Sequence, residues 1–229
     1  MALYVISVGG SLIVPDGIDS NFLNVFKQFI IRRIEKGDRF ILIAGGGKTA
    51  RKYQESAALI SGIDNEEKDW IGIHSTRLNA HLLRTIFKLW ANPRVIKHYD
   101  EESLDSISFN EKILVGAGWK PGWSTDYDAI LIAKKFNATS VINLSNTDYV
   151  YSEDPRVNPE AKKYTSISWK EFKDLVGSKW DPGMSAPFDP IASNEASKSN
   201  IKVIIMNGKN ISNINDYMDG KKFKGTTIS

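Results

Sequence analysis

The chain has 229 residues, enough for one large domain or two small ones. Its net charge of +3 comes from scattered basic residues, which argues against a nucleic-acid partner. A hydrophobic fraction of 41% and a charged fraction of 25% are typical of a soluble globular protein, and the absence of cysteine excludes disulfides and thiolate zinc sites.

Targeting and metal signals are also missing from the sequence. No apolar run approaches the roughly 20 residues that a membrane-spanning helix needs. The first residues lack the basic start of a signal peptide, so we expect a cytoplasmic protein without a membrane partner. The histidines at positions 74, 81 and 98 have no metal-ligand spacing, so no metal site built by the protein alone is predicted.

Strands and helices are predicted to alternate along the chain. Apolar runs predict strands at 3–8, 40–44, 94–97, 112–115, 139–144 and 201–205, and the tail at 225–228 is predicted to be an edge strand. Periodic apolar positions predict helices at 20–37 with Ser20 as the cap, around 50–58, at 64–90, 126–136, 169–176 and 211–218, and from 189 onward. The alternation predicts an α/β fold of three layers, with a mainly parallel central sheet between helices. Repeats and clear linkers are absent from the sequence.

Three glycine-rich turns each follow a predicted strand, at residues 9–10, 45–47 and 116–122. The carboxyl ends of parallel strands share one edge of a sheet, and ligands bind at that edge. Backbone N–H groups at a helix start attract phosphate, and glycine lets the backbone approach it closely. Three such turns on one edge therefore suggest a ligand with several phosphates, or two phosphorylated ligands.

The turn at 45–47 does not match the P-loop motif, and it matches the dinucleotide-binding motif only weakly. The P-loop needs glycine five residues before the glycine of Gly-Lys-Thr, where this chain has Leu42. The dinucleotide pattern is formally met by Gly45, Gly47 and Ala50, but it normally opens the first βαβ unit, and here a strand and a helix precede it. A dehydrogenase is therefore kept only as a minor alternative.

Several residues beside these turns suit phosphoryl transfer, which needs clamped phosphates, positive charge and carboxylates that hold Mg²⁺. Asp126 and Asp189 each open a predicted helix, and either could instead be a plain helix cap. Arg51 is a candidate phosphate clamp, with an exposed helix arginine as the alternative. Trp119 and Trp123 could stack on a base or anchor their loop.

Taken in order, the motifs resemble the amino-acid-kinase family, and more narrowly its uridylate (UMP) kinases of archaeal type. The resemblance covers nearly the whole chain. It is carried by VGGSL at 8–12, GGGKTARKY at 45–53, DWIGI at 69–73, STRLNA at 75–80, GWKPGWSTD at 118–126, NTDYVYSEDP at 146–155, FDPIA at 188–192 and GTTI at 225–228.

The resemblance implies a single kinase domain over 1–229, with the acceptor half at about 1–138 and the ATP half at about 139–229. It implies transfer of phosphate from ATP to UMP, with Mg²⁺, in pyrimidine nucleotide synthesis by a homohexamer. Asp126 and Asp189 would form the acidic pair at the reaction centre. The residues implied to contact UMP are Gly46, Asp69, Gly118, Trp119, Lys120, Pro121, Gly122, Trp123 and Ser124. Those implied to contact ATP are Gly9, Gly10, Gly47, Arg51, Ser145, Asn146, Tyr151 and Asp154.

Several positions depart from the family pattern, and three of them bear on catalysis. Ser7 and Asn194 stand where lysine is usual, and Tyr149 stands where glycine is usual. Without those lysines, Mg²⁺, Lys48 or backbone amides must supply positive charge to the moving phosphoryl group. The departures leave two alternatives open: a weakened or non-catalytic nucleotide-binding member of the family, or a kinase of this fold with another small acceptor.

Overall fold

Ten strands form two sheets in the computed structural model, which describes residues 2–155, 157–177 and 186–229. The strands are β1 Leu3–Val8, β2 Arg39–Ala44, β3 Ala91–Ile96, β4 Ile113–Gly116, β5 Ser140–Ser145, β6 Val150–Tyr151, β7 Lys163–Tyr164, β8 Ser166–Ile167, β9 Lys202–Asn207 and β10 Thr226–Ile228. Eight of them form one sheet in the order β3-β4-β2-β1-β5-β9-β10-β8, while β6 and β7 pair as a separate antiparallel hairpin. Among the described residues, the pairs of the large sheet are parallel apart from β9 with β10.

Helices cover both faces of this sheet. They are α1 Gly10–Ile13, α2 Ser20–Glu35, α3 Gly47–Ser61, α4 Asn65–Ile86, α5 Glu101–Asp105, α6 Thr125–Lys135, α7 Trp169–Val176, α8 Pro190–Lys198 and α9 Ile211–Met218. Alternate strand residues enter two hydrophobic cores: Ile6 belongs to the core that includes residues of α1, α2, α4 and α9, and Val5 belongs to the core that includes residues of α6, α7 and α8. The predicted three-layer α/β fold is thereby confirmed. Among the described helices, none combines the length and apolarity needed to cross a membrane.

Some predicted boundaries differ from the structure for physical reasons. The cap of α2 is Asp19, whose carboxylate accepts from the Phe22 amide at 2.9 Å, and Ser20 is the first helical residue. The strand expected at 94–97 starts earlier and includes Pro93, which is tolerated because β3 lies at the sheet edge. The tail strand β10 is not an edge strand. It lies between β9 and the two-residue β8, which is too short to show a sequence period.

The first two glycine turns pack directly against each other. The register of β1 and β2 pairs Val8 with Ala44, so both strands end at the same level. A Cβ on Gly10 would lie 2.6 Å from the Gly47 Cα, and a Cβ on Gly45 would lie 2.5 Å from the Gly10 nitrogen. Both distances are too short for a side chain. These glycines are therefore required for the two turns to pack together, apart from any contact with a ligand.

We predict that Gly10→Ala destabilises the fold by about 2 kcal/mol, because the new methyl group overlaps the turn at Gly47. Urea unfolding followed by circular dichroism measures the free energy of unfolding. The matched control is Gly17→Ala, since a Cβ there meets no atom within 4 Å. A Gly10→Ala protein as stable as this control would contradict the close packing of the two turns.

Candidate active site

A cavity of about 350 Å³ lies where the glycine turns meet at the carboxyl edge of the sheet. Residues of all three turns line it, together with the ends of β1 and β5, which confirms that the turns converge. The lining includes Ser7, Gly9, Gly10, Gly46, Gly47, Arg51, Asp69, Gly118, Trp123, Ser124, Asp126, Asn143, Ser145 and Asn146. A second cavity of about 420 Å³ lies beside β3 and α5 and contains none of the predicted site residues.

The cavity gathers most, but not all, of the residues expected to contact ligands. In the third turn and the two residues after it, Gly118, Trp123 and Ser124 line the cavity, whereas the residues at 119–122 do not. On the expected ATP side, Tyr151 lies in the β6–β7 hairpin and Asp154 follows it, and neither is among the described lining residues. That hairpin is separate from the main sheet, so its position does not follow from the strand order.

Asp126 is held at the cavity wall by two donors. Its Oδ1 accepts from the Ser7 hydroxyl at 3.1 Å and from the Asn143 side-chain amide at 3.0 Å. The cap of α6 is Ser124, whose hydroxyl oxygen accepts from the Tyr127 amide, so the cap alternative for Asp126 is wrong. Burial, reinforced by the negative charge of Asp189, raises the pKa of Asp126 to about 7.

Asp189 is both a helix cap and a neighbour of the cavity. Its Oδ1 accepts from the amides of Ile191 and Ala192 at 2.7 and 3.0 Å, and Pro190 occupies the first turn of α8. Its Oδ2 accepts from the Ser124 hydroxyl. Burial raises the pKa of Asp189, and these hydrogen bonds oppose the rise. Asp189 can therefore be both a helix cap and a residue of the candidate site.

One face of α4 holds the third turn, which we call the tryptophan loop (residues 117–124). The Thr76 hydroxyl oxygen accepts from the Gly118 amide at 2.8 Å, and the Asp69 carboxylate accepts from the Gly122 amide at 2.6 Å. Burial raises the pKa of Asp69, while this hydrogen bond lowers it. Arg77 donates to the carbonyls of Gly118 and of residue 119 at 3.3 and 3.0 Å. Asp69, Thr76 and Arg77 can act together because positions seven and eight apart share a helix face.

The same helix holds the second glycine turn. The Asn79 side-chain amide donates to the carbonyls of Gly45 and Gly46 at 2.8 and 3.1 Å. Sequence reasoning missed this role, as it missed those of Thr76, Arg77 and Asn143. For Thr76 and Asn79 the available signal was that polar residues interrupt the apolar face of a long helix, whereas Asn143 lies in β5 and gave no such signal.

The two tryptophans of the loop have different environments. Trp119 packs against the core on the α6 side, whereas Trp123 lines the cavity. Their rings meet edge to face at 5.1 Å, and the Lys120 ammonium lies 4.3 and 4.5 Å from the two ring centres. This geometry supports the anchor alternative for Trp119 and leaves Trp123 open to a ligand.

Positive charge is scarce around the cavity. Arg51 is the one basic side chain among the described lining residues. The ammonium of Lys48, a candidate substitute for the missing lysines, is paired with Asp16 outside the cavity lining. A phosphorylated ligand bound in this cavity would therefore be neutralised mainly by cations that it brings with it.

Comparison with known proteins gives full-length matches. The model of the amino acid kinase family matches residues 2–207. The uridylate kinase of Pyrococcus abyssi is 36% identical, with 98% of each chain covered, and that of Methanocorpusculum labreanum is 32% identical over 100% of this chain and 96% of its own.

Solved structures agree with these matches. The crystal structure of uridylate kinase from Archaeoglobus fulgidus has a TM-score of 0.82 at 31% identity, and both chains are completely covered. UMP kinase from Ureaplasma parvum, 21% identical, has the same fold at a TM-score of 0.78, over 100% of this chain and 98% of its own. The joined glycine turns are thus part of a fold shared along the whole chain, and the protein belongs to the amino acid kinase family.

Proposed function

We propose that this protein is a uridylate kinase, which transfers the γ-phosphoryl group of ATP to UMP and yields ADP and UDP for pyrimidine nucleotide synthesis. The observation that carries the proposal is the single cavity in which two interlocked glycine turns, the tryptophan loop and Asp126 meet. The full-length similarity to archaeal uridylate kinases supports UMP as the acceptor.

Two phosphorylated ligands fit this cavity because two glycine turns line it side by side. No side chain caps α3, so its N-terminal end at Gly47 is suited to a phosphate group. On the ATP side we place Gly9, Gly10, Gly47 and Arg51. The same side includes Ser145 and Asn146 in the lining, with Tyr151 and Asp154 in the hairpin region beyond it.

UMP would occupy the opposite side of the cavity. Gly46 and Asp69 line this side, and Asp69 still has one carboxylate oxygen that does not bond the loop. Within the tryptophan loop, Gly118, Trp123 and Ser124 line the cavity and would make the remaining acceptor contacts. Phosphoryl transfer would then take place between the two glycine turns, where the acceptor phosphate faces the γ-phosphate.

The acidic pair is the third part of the mechanism. Ser7 and Asn143 fix Asp126 through one oxygen, and Ser124 joins Asp189 to the start of the same helix. Asp126 is therefore held in one orientation towards the cavity before ligands bind. Such preorganisation is the main contribution a protein can make to phosphoryl transfer.

Mg²⁺ fits this arrangement as a partner of the nucleotide. Among the described residues, no group of three histidine, cysteine or acidic side chains could hold a metal ion alone. Mg²⁺ needs only one or two carboxylates when phosphates and water complete its coordination, and Asp126 and Asp189 could provide these. When bound, the ion supplies the positive charge that Ser7 does not.

The proposal includes a cytoplasmic location and a homohexamer. Exposed apolar side chains on α3 and α4, namely Leu59, Ile60 and Leu78 at 87%, 83% and 65% exposure, support contacts between copies of the chain. Light scattering during size-exclusion chromatography should give six times the chain mass. A stable monomer would contradict this part of the proposal.

We predict ADP release from ATP and Mg²⁺ with UMP as acceptor, and not with CMP, AMP, GMP or no acceptor. Asp126→Asn should lower kcat roughly 10²–10³-fold, because a preorganised charged group is lost from the reaction centre. The matched control is Asp105→Asn, since Asp105 is an exposed aspartate that pairs with Lys135. ADP release with another acceptor would show that UMP is not the specific substrate. ATP binding without ADP release would favour the non-catalytic alternative, which the serine at position 7 suggests.

We also predict that the ligand-free protein loses stability as pH rises from about 5 to 7. The folded state keeps a proton on Asp126 up to a pKa of about 7, against 3.8 for an ordinary aspartate, so it binds more protons than the unfolded state in this window. The free energy of unfolding then falls by up to about 1.4 kcal/mol per pH unit. Urea unfolding across this range measures the slope, which should flatten in Asp126→Asn. Equal slopes in the two proteins would contradict the assignment.

A further inference from the structure

Gln54 is a polar residue of the cavity wall that the sequence did not single out. It lies on α3, three residues after Arg51, and both residues line the cavity. Positions three apart share one face of a helix, so Gln54 extends the cavity wall one turn beyond Arg51. A rise of 1.5 Å per residue places Gln54 about 10 Å along the helix from Gly47, where we propose that phosphate binds. The group that Gln54 faces is therefore a more distant part of the ligand than that phosphate.

The side-chain amide of Gln54 is held in one orientation by α4. Its Nε2 donates to the Lys68 carbonyl at 2.7 Å, and because a carbonyl can only accept, this bond identifies the end of the amide bound to α4 as the nitrogen. A Cβ on Gly72 would lie 3.5 Å from the same nitrogen, so the amide lies against that glycine. Gly72 also lines the cavity and follows Asp69 by about one turn. The amide of Gln54 therefore lies beside Asp69 in the cavity wall.

Gln54 and Asp69 each present one oxygen that accepts no hydrogen bond from the described residues. Oε1 of Gln54 is free because the amide is bound through its nitrogen. Oδ2 of Asp69 accepts from the Gly122 amide at 2.6 Å, which leaves Oδ1. Both free oxygens remain accessible to solvent, since neither is buried without a partner. An amide carbonyl and a carboxylate bind hydrogen-bond donors and repel phosphate oxygens, so the ligand group that fits here carries two donors.

A ribose carries two such donors on neighbouring carbon atoms. Its 2′- and 3′-hydroxyls can each donate one hydrogen bond, whereas an ionised phosphate has no donor and a uracil ring has a single N–H. A 2′-deoxyribose or a 3′-deoxyribose would leave one of the two protein oxygens without a donor. A site built to hydrogen-bond a hydroxyl group discriminates strongly against a ligand that lacks it.

We propose that Gln54 is a specificity-determining residue of the acceptor side, where it accepts a hydrogen bond from one sugar hydroxyl while Asp69 accepts from the other. The pair thereby selects ribonucleotides over deoxyribonucleotides. The bond to the Lys68 carbonyl orients the amide before the ligand arrives, so little side-chain freedom is lost on binding. This inference rests on the proposed function in assigning the side of the cavity next to Asp69 to UMP. It concerns binding alone and is tested without ATP.

The test compares Gln54→Met with Gln28→Met. Methionine is as long as glutamine and favours a helix equally, but its sulfur is only a weak acceptor. Gln28 is the matched control, because it is exposed on α2 and does not line the cavity. Calorimetric titration should give a Kd for UMP about tenfold higher in Gln54→Met than in the unmodified protein, and an unchanged Kd in Gln28→Met.

Titrations with 2′-deoxyUMP and 3′-deoxyUMP then identify the hydroxyl that Gln54 binds. The unmodified protein should bind both analogues about tenfold more weakly than UMP. For one of them, Gln54→Met should give the same Kd as the unmodified protein, because the bond that the substitution removes is already missing. A misfolded variant would lose binding of that analogue as well, so the unchanged Kd also shows that the site is intact.

Two results would overturn the inference. One is an equal rise in Kd for all three nucleotides in Gln54→Met, since the amide would then contact neither hydroxyl. The other is equal binding of UMP and both analogues by the unmodified protein, which needs no variant to fold. If the unmodified protein binds UMP but phosphorylates no acceptor, the proposed function fails, and the coupling between Gln54 and the sugar hydroxyl still decides the inference.

Discussion

The close packing of two glycine turns is the constraint on which the rest of the site depends. β1 and β2 are adjacent, parallel and in register to their last residues, Val8 and Ala44, so the turns that follow them must share one space. Only residues without a side chain fit at Gly10 and Gly47. The arrangement places side by side the two turns that we propose bind phosphate, which is the geometry that transfer between two phosphorylated ligands requires.

The helix α4 connects the two packed glycine turns to the tryptophan loop. Asn79 holds the carbonyls of the second glycine turn, while Thr76 and Arg77 hold the loop. One rigid element thereby sets the distance between the second glycine turn and the tryptophan loop. Asp69 and Asp126 line the cavity, and Arg51 is its one basic side chain among the described lining residues. A site of this kind favours nucleotides that bring their own cation.

The sequence was sufficient for the fold class and for the convergence of the turns, because strand–glycine–helix alternation constrains both. The sequence was not sufficient to predict contacts between residues that lie far apart along the chain. The bonds of Asp126 to Ser7 and Asn143 join residues 119 and 17 positions apart, and no local pattern encodes them. Asp189 could not be assigned from its type alone, since it caps α8 and also bonds Ser124.

We propose that one cavity binds both nucleotides at once, with their phosphates meeting where the two glycine turns pack together. The most direct measurement is calorimetric titration with a bisubstrate analogue in which a pentaphosphate joins adenosine to uridine. We expect one analogue to bind per chain, more tightly than ATP or UMP, and to be displaced by either nucleotide. An analogue that binds no more tightly than ATP, and that UMP does not displace, would contradict it.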